Sequence, residues 1–241
     1  MSAPVSRREQ IAAGLAEVRR RIAAACADAG RDESGVHLVV VTKTFPATDV
    51  RVLADLGVTD VGENRHQEAA GKHAECADLP LTWHFVGALQ TNKAAAVAEY
   101  ADVVHSVDRS RLVRALARAT ERTGRPLRCL LQVNLDPAGD DTGVIGRRSG
   151  TDPGDVPALA DEVAGHRSLE VAGVMGVAPV RGDPQEAFSR LAEIAAEVRG
   201  RHPGATMVSA GMSGDLEAAV RCGATHVRVG SAVLGERPPN R

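Results

Sequence analysis

Val36-His37-Leu38-Val39-Val40-Val41-Thr42-Lys43-Thr44-Phe45-Pro46 is a β-branched run that ends in a polar turn, and an amphipathic stretch at 47–56 follows it. Such a run reads as a strand and the stretch after it as a helix. The turn between them separates two folds. A doubly wound dinucleotide-binding sheet wants a Gly-x-Gly-x-x-Gly turn at this place, and Thr42-Lys43-Thr44-Phe45-Pro46 contains no glycine. The same unit then recurs along the chain. Runs suited to strands lie at 36–42, 58–62, 82–87, 102–107, 127–134, 169–175, 206–210 and 225–230. Helical stretches alternate with them at 47–56, 65–76, 92–100, 109–123, 155–165, 184–200 and 215–222. Eight uninterrupted strand–helix units in 241 residues predict an α/β fold, a (β/α)₈ TIM barrel read as one domain over 1–241. Residues 5–29 add an extra N-terminal helix, with Ile11, Leu15, Val18, Ile22 and Cys26 on one apolar stripe. The charge run Arg19-Arg20-Arg21 beside that stripe reads as a solvated face.

Composition excludes several classes. A formal net charge of −2 leaves no basic excess for a polyphosphate backbone, and five scattered aromatic residues make no base-stacking platform. Nucleic acid is therefore not an expected partner. Cys26, Cys76, Cys129 and Cys222 stand far apart, so neither a metal site nor a disulfide framework is expected, and reduced thiols fit a cytoplasmic protein. The first ten residues carry charge without an apolar core, and no run of about 18 apolar residues occurs, so no membrane role is expected. Of 29 basic residues only Lys43, Lys72 and Lys93 are lysines. Guanidinium stays protonated, so each lysine kept in an arginine-rich chain raises the question of whether a primary amine is needed there. For Lys72 the reading is chance retention on a solvated face.

In a barrel of this kind the chemistry lies at the C-terminal strand ends. Those ends carry Lys43, Glu63-Asn64, Gly87, Asn134, Met175-Gly176, Ser209 to Ser213 and Gly230-Ser231. After strands seven and eight, Gly211-Met212-Ser213-Gly214 and Gly230-Ser231 offer backbone N–H groups and small side chains suited to a phosphate. Each loop alone is an ordinary turn; their pairing favours the phosphate. Arg228 alternates with Val227 and Val229, which points its guanidinium into the barrel, where a ligand or a structural carboxylate would have to accept from it. Lys43, at the end of the first strand, is either a solvated loop residue or an amine desolvated enough to attack an aldehyde. The long stretch 137–154 is irregular and rich in Gly, Asp and Arg.

These segments resemble a known family, the pyridoxal 5′-phosphate (PLP) binding homeostasis proteins related to the N-terminal barrel of alanine racemase. The resemblance rests on Val41-Thr42-Lys43-Thr44, Gly62-Glu63-Asn64, residues 83–93, His105-Ser106-Val107-Asp108, Gln132-Val133-Asn134, residues 211–219 and Val227-Arg228-Val229-Gly230. It implies that Lys43 binds PLP as a Schiff base, that Met212, Ser213, Gly230 and Ser231 hold the phosphate, and that Arg228 faces the pyridine nitrogen. It further implies that Asn64, His84 and Ser209 line the pocket; by its residue pattern alone, His84 also fits a satisfied core histidine. Thr42 stands where the family has serine, Ala210 where it has methionine, and Asp141, before Gly143, where it has a basic residue.

PLP supplies an electron sink, and the protein's acids and bases select the reaction that uses it. An arginine at the pyridine nitrogen weakens that sink. Racemases resembling this barrel bring a tyrosine or cysteine to the cofactor's other face from a second domain, for which the chain leaves no room. Its one tyrosine, Tyr100, is expected at the opposite barrel end. The expectation is a monomeric PLP carrier or buffer serving PLP-dependent apo-enzymes, with no catalytic residue assigned. A weak racemase-like amino-acid enzyme and a Schiff-base aldolase barrel remain as alternatives.

Overall fold

The structure is a computed structural model that describes residues 5–136 and 150–236. Its strands are β1 His37–Val41, β2 Asp60–Glu63, β3 Thr82–Phe85, β4 Val103–Val107, β5 Leu127–Gln132, β6 Leu169–Met175, β7 Met207–Ser209 and β8 His226–Val229. All are parallel and each pairs with the next; β8 closes onto β1 from His37↔His226 to Val40↔Val229. The helices are α1 Arg7–Asp28, α2 Ala47–Asp55, α3 His66–Glu75, α4 Ala94–Ala98, α5 Ser110–Thr123, α6 Val156–Ala164, α7 Pro184–Arg201, α8 Leu216–Arg221 and α9 Ser231–Leu234. The expected eight-stranded barrel with an extra N-terminal helix is the fold observed.

That extra helix has a structural reason. The helix after β8, α9, is four residues long, too short to cover the barrel wall there. α1 takes its place: Ile11, Leu15, Val18 and Ile22 pack in one apolar cluster with Val40, Val227, Val229, Val233 and Leu234. Ser6 and Glu9 begin α1 with a reciprocal capping box.

Several elements differ from the sequence reading. The strand expected over 127–134 ends at Gln132, because Val133 makes only an isolated bridge to Thr151. The helix expected over 92–100 is a tight turn, Thr91–Lys93, followed by the five-residue α4. The stretch read as irregular over 137–154 is ordered at its end, where Pro153–Asp155 forms a turn of 3-10 helix into α6. Asp141 and Gly143 lie outside the described residues.

The barrel interior is divided. Toward β4 to β7 it is apolar, filled by Val103, Leu130, Ala172, Met175 and Met207. Elsewhere it holds imidazoles: His84 lies edge-on to His105 with ring centroids 5.1 Å apart, and at the N-terminal strand ends His226 stacks on the exposed His37 at 4.9 Å. Among the described residues no helix is long and apolar enough to cross a membrane.

Candidate functional site

A cavity of about 410 Å³ opens at the C-terminal ends of the strands, a volume suited to a small cofactor. Lys43 enters it from the turn after β1, Asn64 from the end of β2, and Arg228 from β8. Met212, Ser213 and Gly214 approach from the β7–α8 loop, Gly230 and Ser231 from the start of α9. Val41, Phe45, Val86, Met175 and Val177 supply apolar wall. Seven of the residues singled out from sequence thus meet around one space: Lys43, Asn64, Met212, Ser213, Arg228, Gly230 and Ser231.

Two others do not. His84 and Ser209 are buried and absent from the cavity wall. Both point into the barrel, as strand alternation requires, but below Arg228. The Ser209 hydroxyl takes a hydrogen bond from Arg228 Nη1 at 2.6 Å, and His84 sits deeper, against His105. Ser209 therefore supports Arg228 on the cavity floor, and His84 lies a layer below it.

The turn that carries Lys43 is held on both sides. Lys72 is buried, not solvated as its sequence context suggested, because α3 presents it on the same face as Ala69. Its Nζ donates to the Thr42 carbonyl at 2.6 Å, to Glu63 Oε1 at 2.7 Å and to Glu68 Oε1 at 2.5 Å. Thr42 Oγ1 also donates to Glu63 Oε1 at 2.6 Å, and the Thr44 N–H donates to Glu68. Residues 42 and 44 are thereby fixed and Lys43 between them is aimed. Thr44 adopts φ +70°, a left-handed conformation that costs a non-glycine residue on the order of 1 kcal/mol or more. Burial pushes the Glu63 carboxyl above its usual range, with Lys72 acting in the opposite direction. Asn64 is positioned by packing: a Cβ on Gly87 would lie 2.2 Å from the Asn64 carbonyl oxygen, so only glycine lets the next strand end come so close.

The opposite rim is built from small neutral groups. Ser213 Oγ and Ser231 Oγ stand 3.4 Å apart. The loop beneath them is tied down from α1, where Arg21 donates to the Ser213 carbonyl at 3.0 Å and to Glu217 at 2.6 and 2.9 Å. The Arg19–Arg21 run is consequently not one solvated face: Arg20 is, while Arg21 is only 24% exposed.

Arg228 forms the floor. It is buried, and burial lowers its pKa to about 10, with the Asp215 carboxylate acting in the opposite direction. It donates to two neutral groups, Ser209 Oγ at 2.6 Å and the Gly176 carbonyl at 2.9 Å, and neither is the structural carboxylate that its sequence context allowed. Tyr100 is buried in the layer between helices and barrel wall, its ring 6.0 Å from that of His66, and is absent from the cavity wall. The cavity therefore offers an amine, a guanidinium, a serine–glycine cup and apolar sides. Its lining holds no carboxylate, imidazole, thiol or phenol among the described residues.

The family model "Alanine racemase, N-terminal domain" matches residues 14–238. A pyridoxal phosphate homeostasis protein of Mycobacterium tuberculosis H37Rv is 44% identical over 98% of this chain and 96% of its own. One from Escherichia coli K12 is 34% identical over 94% and 97%. Among solved structures, PipY of Synechococcus elongatus PCC7942 with PLP bound is similar at TM-score 0.79 and 35% identity, covering 93% of this chain and all of that one. The alanine racemase of Corynebacterium glutamicum shares the fold at TM-score 0.68 and 16% identity, with 60% of its chain covered.

Proposed function

Because this chain belongs to the alanine racemase N-terminal-domain family and, within it, to the pyridoxal phosphate homeostasis proteins, we propose that it binds PLP in the cavity around Lys43 and buffers it for PLP-dependent enzymes. The donor set fits that cofactor group by group. When bound, PLP supplies an aldehyde that a primary amine can take up covalently, and Lys43 is the amine in the cavity. The cup of Ser213, Gly230 and Ser231 offers neutral donors and room for a phosphate. Phe45, Val41 and Met175 offer apolar surface for a flat ring.

The observation that carries the carrier reading is the nature of the floor. Arg228 lines the cavity and has no proton acceptor to offer, so toward a pyridine nitrogen it would act only as a donor and would disfavour protonation there, limiting the electron sink on which amino-acid chemistry depends. Lys43 and Arg228 are the titratable side chains of the described lining. Neither supplies a separate acid on a second face. The family's fold is also used by racemases, so the carrier role rests on these residues and not on the barrel.

The test is spectroscopic. Wild-type protein incubated with PLP and freed of excess should keep a visible absorbance band, which Lys43→Ala should lose. A wild type that stays colourless would overturn the reading. Incubation of the loaded protein with L-alanine or L-serine should give no more keto acid or D-enantiomer than free PLP does; rapid turnover would replace the carrier with an enzyme.

A further inference from the structure

Beneath Arg228 runs a line of polar side chains that touch no part of the cavity. Ser209 Oγ is 2.6 Å from Arg228 Nη1, His105 Nδ1 is 3.0 Å from Ser209 Oγ, His84 Nδ1 is 2.8 Å from His105 Nε2, and Asp60 Oδ1 is 2.8 Å from His84 Nε2. Five side chains from five strands make four consecutive contacts across the barrel. Asp60, at the start of β2, reaches a second cavity at the opposite face.

The two ends give this chain a direction. A guanidinium only donates and an ionised carboxylate only accepts. Asp60 stays ionised, since hydrogen bonds from His84 and Thr59 outweigh the upward push of burial and hold its carboxyl below the usual range. Complete burial, with His84 and Arg228 nearby, drives His105 well below its ordinary value and keeps it neutral. If each imidazole carries one proton, a single assignment satisfies all four contacts. Arg228 donates to Ser209, the Ser209 hydroxyl donates to His105 Nδ1, His105 Nε2–H donates to His84 Nδ1, and His84 Nε2–H donates to Asp60. With one proton on each ring, reversing both imidazoles would require a protonated Asp60.

We propose that Asp60, His84, His105 and Ser209 are positioning residues that form a one-way hydrogen-bond relay, orienting Arg228 toward the ligand in the cavity and linking its charge to a carboxylate at the far end of the barrel. The buried guanidinium otherwise meets neutral acceptors in Ser209 and Gly176, and each polarised link passes part of its charge toward Asp60. The proposal rests on the reading that Arg228 faces the cofactor ring.

Nitrogen-15 NMR of the full chain without PLP tests the relay itself. His84 and His105 should both appear as neutral Nε2–H tautomers, and the Arg228 N–H signals should be sharp in wild type and broadened in Ser209→Ala. A Nδ1–H tautomer or a charged ring at either histidine, or Arg228 signals that ignore Ser209→Ala, would overturn it. PLP titrations then test the link to the cavity. Ser209→Ala and Asp60→Asn should each weaken binding about 10-fold, while Ser209→Thr, which keeps the hydroxyl, should stay within about 3-fold of wild type. Melting curves identify any variant that fails to fold, in which case the other carries the test. Unchanged affinity in folded Ser209→Ala and Asp60→Asn would end the proposal. A wild type that takes up no PLP would sink the cofactor reading, while the NMR would still decide the relay and the orientation of Arg228.

Discussion

The two sides of the cavity mouth are built on opposite principles. The Lys43 side is held by buried charge: Lys72 bridges Glu63 and Glu68 and clasps the residues flanking Lys43. The Ser213–Ser231 side, among the described residues, has no buried ion pair at its rim and is shaped by glycine, serine and a tie to Arg21 outside. An amine that must be aimed needs a stiff mount, and a network of short charge-assisted bonds gives one. A phosphate cup needs close backbone approach instead, which small residues permit.

If that contrast holds, breaking the charged side should cost most. Lys72→Met leaves Glu63 buried beside an apolar chain; removing one partner of a buried pair typically costs about 3–5 kcal/mol. Urea denaturation should show the loss as a lower midpoint with an unchanged slope. Adding Glu63→Gln should recover part of it, because the stranded charge is then gone. A loss below about 1 kcal/mol would mean that water reaches the cluster and the mount is not stiff.

Acid should also act on the polar interior before the cup. His105 and His226 are held neutral by burial, His226 down to about 3. Their folded pKa values lie below the ordinary 6.5. Above that pH neither folded nor unfolded chain binds the proton; below it only the unfolded chain does, so stability falls as pH falls through 6.5. Each histidine contributes about 1 kcal/mol over that pH unit, so the native state should lose roughly 2 kcal/mol between about pH 6.5 and 5.5. Glu63 works against this, since its raised pKa lets the native state take up a proton first. Denaturation midpoints at the two pH values measure the sum, and His226→Gln should flatten the slope.

On the neutral side the expected costs are steric. Gly211 has φ +90°, and a Cβ there would lie 2.7 Å from that of Ala219 on α8. Gly211→Ala should therefore lower stability by about 1–3 kcal/mol, and the loss should be independent of pH between about 5.5 and 7.5, unlike that of the histidines. A pH-dependent loss would mean that the cup is coupled to the ionisable interior.

Much of this was legible in the chain itself, for a definable reason. Strand and helix periods differ, so Val36 to Val41 and its seven successors announced the barrel, and the rule that chemistry gathers at strand ends placed Lys43, Asn64, Ser213 and Arg228 together. Depth was not legible. Alternation tells that His84 and Ser209 point inward but not how far below the mouth, because depth is set by the tilt and stagger of the strands. Lys72 was misread as solvated although a signal existed: it stands three residues after Ala69 and four before Cys76, on the buried face of α3. A lysine on an apolar face with glutamates at 63 and 68 signals a buried pair. The role of α1 was hidden because it depends on how short α9 is.

The smallest expected effect on stability, and the sharpest separation of the two sides, comes from Ser213→Ala. Its hydroxyl makes a long contact of 3.4 Å with Ser231, near the open rim. Removing it should change stability by less than about 0.5 kcal/mol, as for other surface positions. Binding should respond more, since a hydrogen bond to a charged group is worth about 1.5–3 kcal/mol. Shared with the backbone and Ser231, the loss should weaken PLP binding about 10-fold. Inorganic phosphate should compete with PLP in wild type and less well in the variant. Lys43→Ala should show the reverse pattern, keeping phosphate competition with non-covalently bound PLP while losing the covalent attachment. If both variants lost phosphate competition equally, the amine and the cup would be one coupled site, and the division between a charged mount and a neutral cradle would fail.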